Sequence, residues 1–475
     1  MWLWSGLAAA GVALHPPAAR VQEVTDCVRQ HPRADPEIIR DPQIPPQGYR
    51  LDLQADRSLL TVSDAAGERY ARDTLSQLDD HTDCLIIDDA PAISRRWVHA
   101  QLPGRSTGGA VLFERHKAKL PALRGYSGTE DYLPLLDTLL DSAVSARLNG
   151  IVLELNGMWI LPSHPELALP WAIPIERLRP WLDRAAEHGV EVVPLLPLFT
   201  HQEQLLAPVY PELMRVPMAR FPKKRGRPPD PIFWWNPISD PRLPKVQELH
   251  ADLLEDVIRV FQPTLVHVGH DEGGALRFSD ASEAPELFAH SVQSAHAIVR
   301  QAGAHLAIWA DMLLNGWQIP GTAHGNEAGT PTWKALDALP EDVVLVDWQY
   351  HGAPAQWPDT GLIDDVPSLR YLAASGHPVM GAALGRPLDR LPVPRSRQRQ
   401  VEQSARLART LVDLQSAGAA TFGHLTAHFG LTPGRLAPWP DTSIAGSIHI
   451  AGLHGWTGGA QAHVWPVAPD RQDAR

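Results

Sequence analysis

Cysteine is almost absent from this chain: there are 2 in 475 residues, Cys27 and Cys84. That excludes a disulfide framework and leaves room for one bridge at most. Basic residues are outnumbered as well. Lys and Arg total 42 against 54 Asp and Glu, a net charge of −12, which argues against a polyanion such as nucleic acid as the main partner. Long apolar runs are missing. The most hydrophobic stretch, residues 1–14 (MWLWSGLAAAGVAL), is too short to cross a bilayer, and no other segment qualifies, so no membrane partner is expected. Residues 1–20 resemble the apolar core of a signal peptide, but no Lys or Arg precedes that core and no small-x-small cleavage site is evident. The localisation is left open between secreted and cytoplasmic. Tyrosine (7) and phenylalanine (9) are scarce beside 16 tryptophans. Flat indole faces stack on the apolar faces of sugar rings, so this bias suits a carbohydrate site even if most of the indoles serve the core.

What is present is a long, soluble-looking composition, 44% hydrophobic and 20% charged, with enough chain for a large barrel and a smaller companion. Residues 1–91 read as a small α+β domain. Tyr49 to Leu53 alternates as a strand, Leu59 to Val62 continues as a second, and Asp64-Ala65-Ala66-Gly67 opens a helix to Leu78 with Tyr70, Leu75 and Leu78 on one face. Cys84 to Ile87 is a further strand, and the unit ends near Pro91. Residues 92–430 then alternate. Apolar strand-like runs at 97–102, 151–155, 190–196, 265–269, 306–309, 343–347, 378–383 and 419–425 are separated by helix-patterned stretches at 132–148, 175–188, 243–261, 285–302, 333–339, 363–375 and 397–417. Eight strands with helices between them predict an α/β fold of the (β/α)8 TIM-barrel class. A doubly wound sheet fits the alternation too, but no Gly-rich phosphate turn follows the first strand. Residues 431–475 form a tail rich in Gly, His and Trp (Trp439, Trp456, Trp465) whose role the sequence does not disclose.

The stretch that carries most chemistry is 265–276, LVHVGHDEGGAL. It is a buried strand that breaks off in His267, His270, Asp271 and Glu272, and the C-terminal ends of strands are where such barrels keep their active sites. Adjacent carboxylates repel, so one of the two holds a proton more tightly and the pair divides into an acid and an anion. Other strands end in Glu154 and Asn156, in Thr200 and His201, in Trp309 and Asp311, in Asp347, Trp348, Gln349 and Tyr350, and in His424. Carboxylates, imidazoles and indoles on one rim point to acid/base chemistry on a neutral, hydroxyl-rich ligand.

The segment His267-Val268-Gly269-His270-Asp271-Glu272 resembles the fourth-strand signature of the family-twenty glycoside hydrolases, the β-N-acetylhexosaminidases. Residues 48–51, 64–67 and 74–78 are similar to that family's N-terminal α+β domain. Asp88 to Pro91 with Arg96 resembles its approach to the first barrel strand, Pro194 to His201 its third strand, and Trp309 to Met312 its fifth. The resemblance spans residues 45–385 in order. It implies exo-acting removal of terminal β-linked N-acetylglucosamine or N-acetylgalactosamine by substrate-assisted retention, in which the sugar's acetamido oxygen replaces a protein nucleophile. Glu272 is then the general acid and later the base, and Asp271 holds the acetamido N–H and stabilises the cationic intermediate. The implied substrate-binding residues are Arg96, on sugar hydroxyls, Trp309 and Trp348, walling the acetamido group, and His201, His267, Asp311 and Tyr350. No cofactor and no metal are implied. The chain departs from the family pattern in carrying Gln101 where an Asp is usual. It has no acidic stretch after Leu153, and no tyrosine in 379–384, where Tyr350 is the substitute on offer.

Three other readings compete. His201, His267, His270, Asp271 and Glu272 suit Zn or Mn in a metal-dependent hydrolase, although no helix-spaced ligand pair supports it. Residues 223–228, KKRGRP, have the composition of a minor-groove DNA-binding hook, but the copy is single and the chain acidic, so a solvated loop is the simpler reading. An inactive sugar-binding protein on the same scaffold is the third. Oligomeric state is not legible.

Overall fold

The computed structural model describes residues 18–29, 35–78, 83–102, 132–169, 172–216, 219–220, 234–235, 237–278, 281–315, 330–348, 365–385, 393–429 and 443–460, with positions 14, 16, 319 and 431. Tyr350 and the basic run at 223–228 lie outside the described residues, as does most of the segment before residue 18.

The first unit is a five-stranded sheet built from β1 (Arg20–Val28), β2 (Glu37–Arg40), β3 (Tyr49–Leu53), β4 (Ser58–Val62) and β5 (Asp83–Asp89), in the order β1-β5-β3-β4-β2. In β3 the inward positions Tyr49, Leu51 and Leu53 are buried and the alternate residues are not, the mark of a sheet with one covered face. Helix α1 (Ala65–Ser76) supplies that cover and starts at Asp64, whose carboxylate accepts from Gly67 N–H at 2.8 Å. Tyr70 and Ala71 pack into the core with Leu60, Val62, Leu85 and Ile87. Strands β1 and β2 have no signature in the sequence. They are the two edges, β2 is exposed at every position, and an exposed edge has no hydrophobic alternation to announce it. Cys27 and Cys84 form a disulfide that ties β1 to β5.

The second unit is the barrel. Its strands are β6 (Arg96–Gln101), β7 (Gly150–Glu154), β8 (Glu191–Leu195), β9 (Leu265–His267), β10 (His305–Trp309), β11 (Val344–Trp348), β12 (Val379–Leu384) and β13 (Thr421–His428). Each pairs in parallel with the next, and β13 closes on β6. The chain has therefore the (β/α)8 fold behind a small α+β domain. The helices that follow successive strands are α2 (Leu133–Ser145), α3 (Arg179–Glu187), α4 (Pro244–Phe261), α5 (Ala284–Gln301), a 3-10 helix (Pro331–Ala338), α6 (Pro367–Ala374), α7 (Val393–Ser416) and α8 (Ser443–Thr457). Burial on both faces explains why these strands read as unbroken apolar runs. Val152, Val193, Leu195, Leu265, Val344, Val346, Met380 and Leu425 fill the interior with the indoles of Trp97, Trp309 and Trp348.

The tail takes on a role here. Helix α8 is the eighth helix of the barrel, packed against α2, α7, β6 and β13. It comes in close because of its glycines: a Cβ on Gly452 would stand 1.9 Å from the Ala146 carbonyl oxygen.

Helix α8 also joins the two units. Its Trp456 indole donates to Asp89 at 3.0 Å, and Asp89 accepts from Tyr49 hydroxyl at 3.0 Å and faces Arg147 at 3.4 Å. Arg147, 1% exposed, also donates to Asp73 at 2.7 Å and Thr74 Oγ1 at 2.7 Å. Burial raises the proton affinity of Asp89, and Arg147 is the first influence pulling it back. Replacing Arg147 by Met leaves that carboxylate buried without its cation, so Arg147→Met should cost about 3–5 kcal/mol. Trp456→Phe removes one donor and should cost roughly 1–3 kcal/mol. Thermal and denaturant unfolding of the two variants checks the ranking.

Candidate active site

The fourth strand sets the geometry. β9 is three residues long, yet its ladder continues past the strand: Leu198 N–H donates to Val268 O at 3.3 Å and Trp309 N–H to Gly269 O at 2.9 Å. Between and just beyond these bonds the chain turns sharply. Gly269 (φ +73°), His270 (φ +80°) and Glu272 (φ +54°) all lie in the left-handed region. Glycine takes this conformation freely, whereas the two side-chain-bearing residues are strained and persist only where their surroundings hold them. His270 is held from outside the barrel. Its Nδ1 meets Val268 O at 2.9 Å and its Nε2 meets Ser291 Oγ of α5 at 3.0 Å, while its ring stacks on Phe199. The imidazole thus anchors the turn and leaves Asp271 and Glu272 to face the barrel mouth.

His201, from the turn after β8, meets them. Its Nε2 lies 3.4 Å from Asp271 Oδ2 and 3.5 Å from Glu272 Oε2, and its Nδ1 lies 3.0 Å from Glu203 Oε1. Burial opposes a positive ring, but Asp271 and Glu203 outweigh it and hold the imidazole protonated well above the ordinary histidine value. Burial, and then the charges of Glu272 and Glu154 against the pull of His201, raises the proton affinity of Asp271. The neighbouring imidazoles are driven the other way. Burial takes His270 down to about 4, and burial with His99 and His270 puts His267 well below its usual value. Of His201, His267 and His270, His201 is the one held positive.

The floor is formed by His267, whose ring centroid lies 4.6 Å from that of Trp309, and by a triad from the first two strands. Glu154 Oε2 lies 3.1 Å from His99 Nε2, and its Oε1 accepts from Gln101 Nε2 at 2.8 Å. Burial opposes its ionisation, but the His99 bond and charge hold Glu154 below the usual carboxyl range. Trp348 closes the sixth strand and donates from Nε1 to Asp311 Oδ1 at 3.1 Å. The other Asp311 oxygen accepts from Glu272 N–H at 2.9 Å.

The predicted residues therefore separate. Glu272, Asp271, His201, His267, Trp309, Asp311 and Trp348 gather around one mouth. Arg96 does not join them. It opens β6, paired in register with His424, while Gln101 at the far end of that strand reaches Glu154. At about 3.3 Å per residue this puts Arg96 roughly 16 Å from the mouth, at the opposite end of the barrel. Its guanidinium is fully buried on Tyr70 hydroxyl (2.7 Å), Ile93 O (2.8 Å), Arg147 O (3.0 Å) and Gln47 (3.1 Å). It serves the junction between the units. His424 is not at the rim either, because β13 runs on to His428. Asp347 faces outward to Ser368 Oγ at 2.6 Å. Glu203 and His99 were not among the expected site residues. Their signals were the His-x-Glu spacing at 201–203 and the period-two succession Trp97, His99, Gln101, which turns all three into the barrel. Among the described residues no group of three or more His, Cys, Asp and Glu is arranged to hold a metal ion.

No protein-family model matches this chain, and no curated protein matches it. Solved structures do match in fold. One is a glycoside hydrolase family 20 β-N-acetylglucosaminidase, at TM-score 0.61 and 19% identity, covering 94% of this chain and 91% of its own. A β-N-acetylhexosaminidase from Bacteroides fragilis matches at TM-score 0.60 and 16% identity, covering 89% and 79%. An exo β-N-acetylglucosaminidase from Vibrio harveyi, in complex with N-acetylglucosamine, matches at TM-score 0.60 and 15% identity, covering 95% and 75%. At these identities the likeness is one of fold.

The His201 charge gives a pH signature. Its folded-state proton affinity is raised above the unfolded value, so its stabilisation is complete below about pH 6.5 and is lost as pH rises through the folded-state value. The stability advantage of wild type over His201→Gln should therefore shrink as pH is raised from about 6 to 10. Thermal unfolding of both proteins across that range measures it, and an advantage that grows with pH contradicts the assignment.

Proposed function

We propose that the protein is a glycoside hydrolase that removes terminal β-linked N-acetylhexosamine, with Glu272 as general acid and base and Asp271 as the fixed charge. The observation that carries this reading is the shared approach of Asp271 and Glu272 to one side of His201, at 3.4 and 3.5 Å. They stand just past the fourth strand of a barrel whose solved likenesses are β-N-acetylhexosaminidases and β-N-acetylglucosaminidases. Glu272 is the more accessible of the two carboxylates, with 53% of its side chain exposed against 21% for Asp271. A proton donor to a departing glycosidic oxygen needs that access. A group that holds an acetamido N–H and a developing cation gains from being enclosed, since electrostatic interactions strengthen as water is excluded.

In this mechanism the acetamido oxygen attacks the anomeric carbon while Glu272 protonates the leaving oxygen. A cyclic oxazolinium intermediate forms beside Asp271, and Glu272 then takes a proton from water as the water opens it. The sugar's own amide is the nucleophile, so no second protein carboxylate has to sit beneath the ring. Trp309 and Trp348 offer apolar faces for the acetamido methyl, and the buried triad of His99, Gln101 and Glu154 braces the barrel interior beside them. Asp271 and Glu272 both bear on His201, whose positive charge steadies two carboxylates that would otherwise repel.

Hydrolysis of aryl β-N-acetylglucosaminide and N-acetylgalactosaminide tests the reading. Glu272→Gln should lower kcat about 10²- to 10⁴-fold on poor leaving groups, and Asp271→Asn about 10²- to 10³-fold irrespective of the leaving group. Turnover of the matching 2-hydroxy glucoside at an equal rate would exclude an acetamido nucleophile.

A further inference from the structure

Asp311 was expected to bind sugar, but each of its oxygens already accepts a hydrogen bond from a protein donor. It is 4% exposed. Oδ2 accepts the Glu272 backbone N–H at 2.9 Å, and Oδ1 accepts the Trp348 indole N–H at 3.1 Å. The residue opens the 3-10 turn Asp311–Leu313 directly after the fifth strand, and that turn is fixed to the barrel, since Ala310 N–H donates to Val346 O at 2.9 Å. One carboxyl thus joins the ends of the fourth, fifth and sixth strands.

We propose that Asp311 is a positioning residue: it holds the strained backbone of Glu272 and the Trp348 indole, and so sets where the proton-donating carboxyl stands. Glu272 needs such a hold. At φ +54° it occupies a conformation that a non-glycine residue keeps only where its surroundings hold it, and its side chain is 53% exposed at the open mouth, 3.5 Å from His201 Nε2. Fixing the backbone sets the point from which that side chain reaches out. The hold is also electrostatically costly. Burial first, and then the charges of Asp271 and Glu272, press Asp311 toward its protonated form against the two donated bonds. A carboxyl kept there at that cost, 4% exposed and bonded by a protein donor at each oxygen, is placed to organise its neighbours.

The inference rests on Glu272 being the general acid, and its test separates the two. A hydrogen bond to a charged group is worth roughly a tenfold to hundredfold effect. Asp311→Asn keeps the size of the side chain but turns one acceptor into a donor. It should lower kcat/KM, which reports the steps up to departure of the leaving group, by about that factor on an aryl N-acetylglucosaminide with a poor leaving group such as methoxyphenyl, and by no more than about threefold on the dinitrophenyl substrate, whose departure needs no acid. KM should change little. Combined with Glu272→Gln it should add nothing further on the poor leaving group, because both changes remove the same proton transfer. Equal losses on both leaving groups, or full additivity, would mean that Asp311 acts on the sugar and would overturn the proposal.

Amide hydrogen exchange supplies a readout that needs no activity. Peptides covering 268–276 should exchange faster in Asp311→Asn than in wild type, while those covering α5 stay protected. Unchanged exchange at 268–276 overturns the proposal even if turnover falls. If wild type hydrolyses neither substrate, the hexosaminidase reading fails and the exchange measurement alone decides the clamp. Should Asp311→Asn melt too low to compare, Trp348→Phe removes only the indole donor. It should raise exchange at 268–276 by less, and no change there would contradict the three-strand tie.

Discussion

Two carboxylates on consecutive residues, turned to the same side of a half-enclosed mouth, repel each other, and a fold that keeps them there has to supply a compensating charge. His201 supplies it. Its ring reaches Asp271 and Glu272 with one nitrogen and Glu203 with the other. Burial disfavours a positive imidazole and Asp271 and Glu203 favour it, so the ring is charged because those acids are there, and the acids tolerate one another because the ring is charged. Two other buried histidines, one at the turn and one deep in the barrel wall, show what happens without acids. His270 and His424 are both pressed down to about 4 by burial, and they serve as neutral hydrogen-bonding spacers between strands and helices.

The backbone arrangement follows from the same demand. To present Asp271 and Glu272 together, the chain must leave the strand abruptly, and it does so with three left-handed residues within four positions. The barrel absorbs that strain from both sides. Ser291 and Phe199 hold His270 outside, Asp311 holds the Glu272 amide inside, and the ladder bonds from Leu198 and Trp309 keep the intervening backbone in register. Strain of this kind persists only where its surroundings over-determine it.

The same physics explains what the sequence could and could not disclose. The eight barrel strands were legible because burial on both faces leaves unbroken apolar runs, and the position of His267 to Glu272 at the end of the fourth run followed from that count. Strands β1 and β2 were not legible: edge strands with exposed side chains carry no period. Helix α8 was hidden by its glycines and by being buried on nearly every side, which erases the amphipathic stripe. Arg96 was misplaced because family likeness named the residue without fixing the end of the strand. Its register opposite His424 puts it among Tyr70, Ile93 and Gln47. Asp311 was found at the right rim, but side-chain direction decided that its partners are protein donors, and direction is not written in spacing. The Cys27–Cys84 bridge was open on count alone and was settled by the pairing of β1 with β5.

The central claim is that the nucleophile belongs to the substrate and that Asp271 and Glu272 divide the labour of stabilising charge and moving a proton. Its most direct test is the configuration of the first sugar released. Proton NMR during hydrolysis of an aryl β-N-acetylglucosaminide should show the β-anomer forming first and the α-anomer appearing only by later mutarotation, because two inversions at the anomeric carbon restore the starting configuration. An α-anomer released first would mean direct attack by water and would contradict the account.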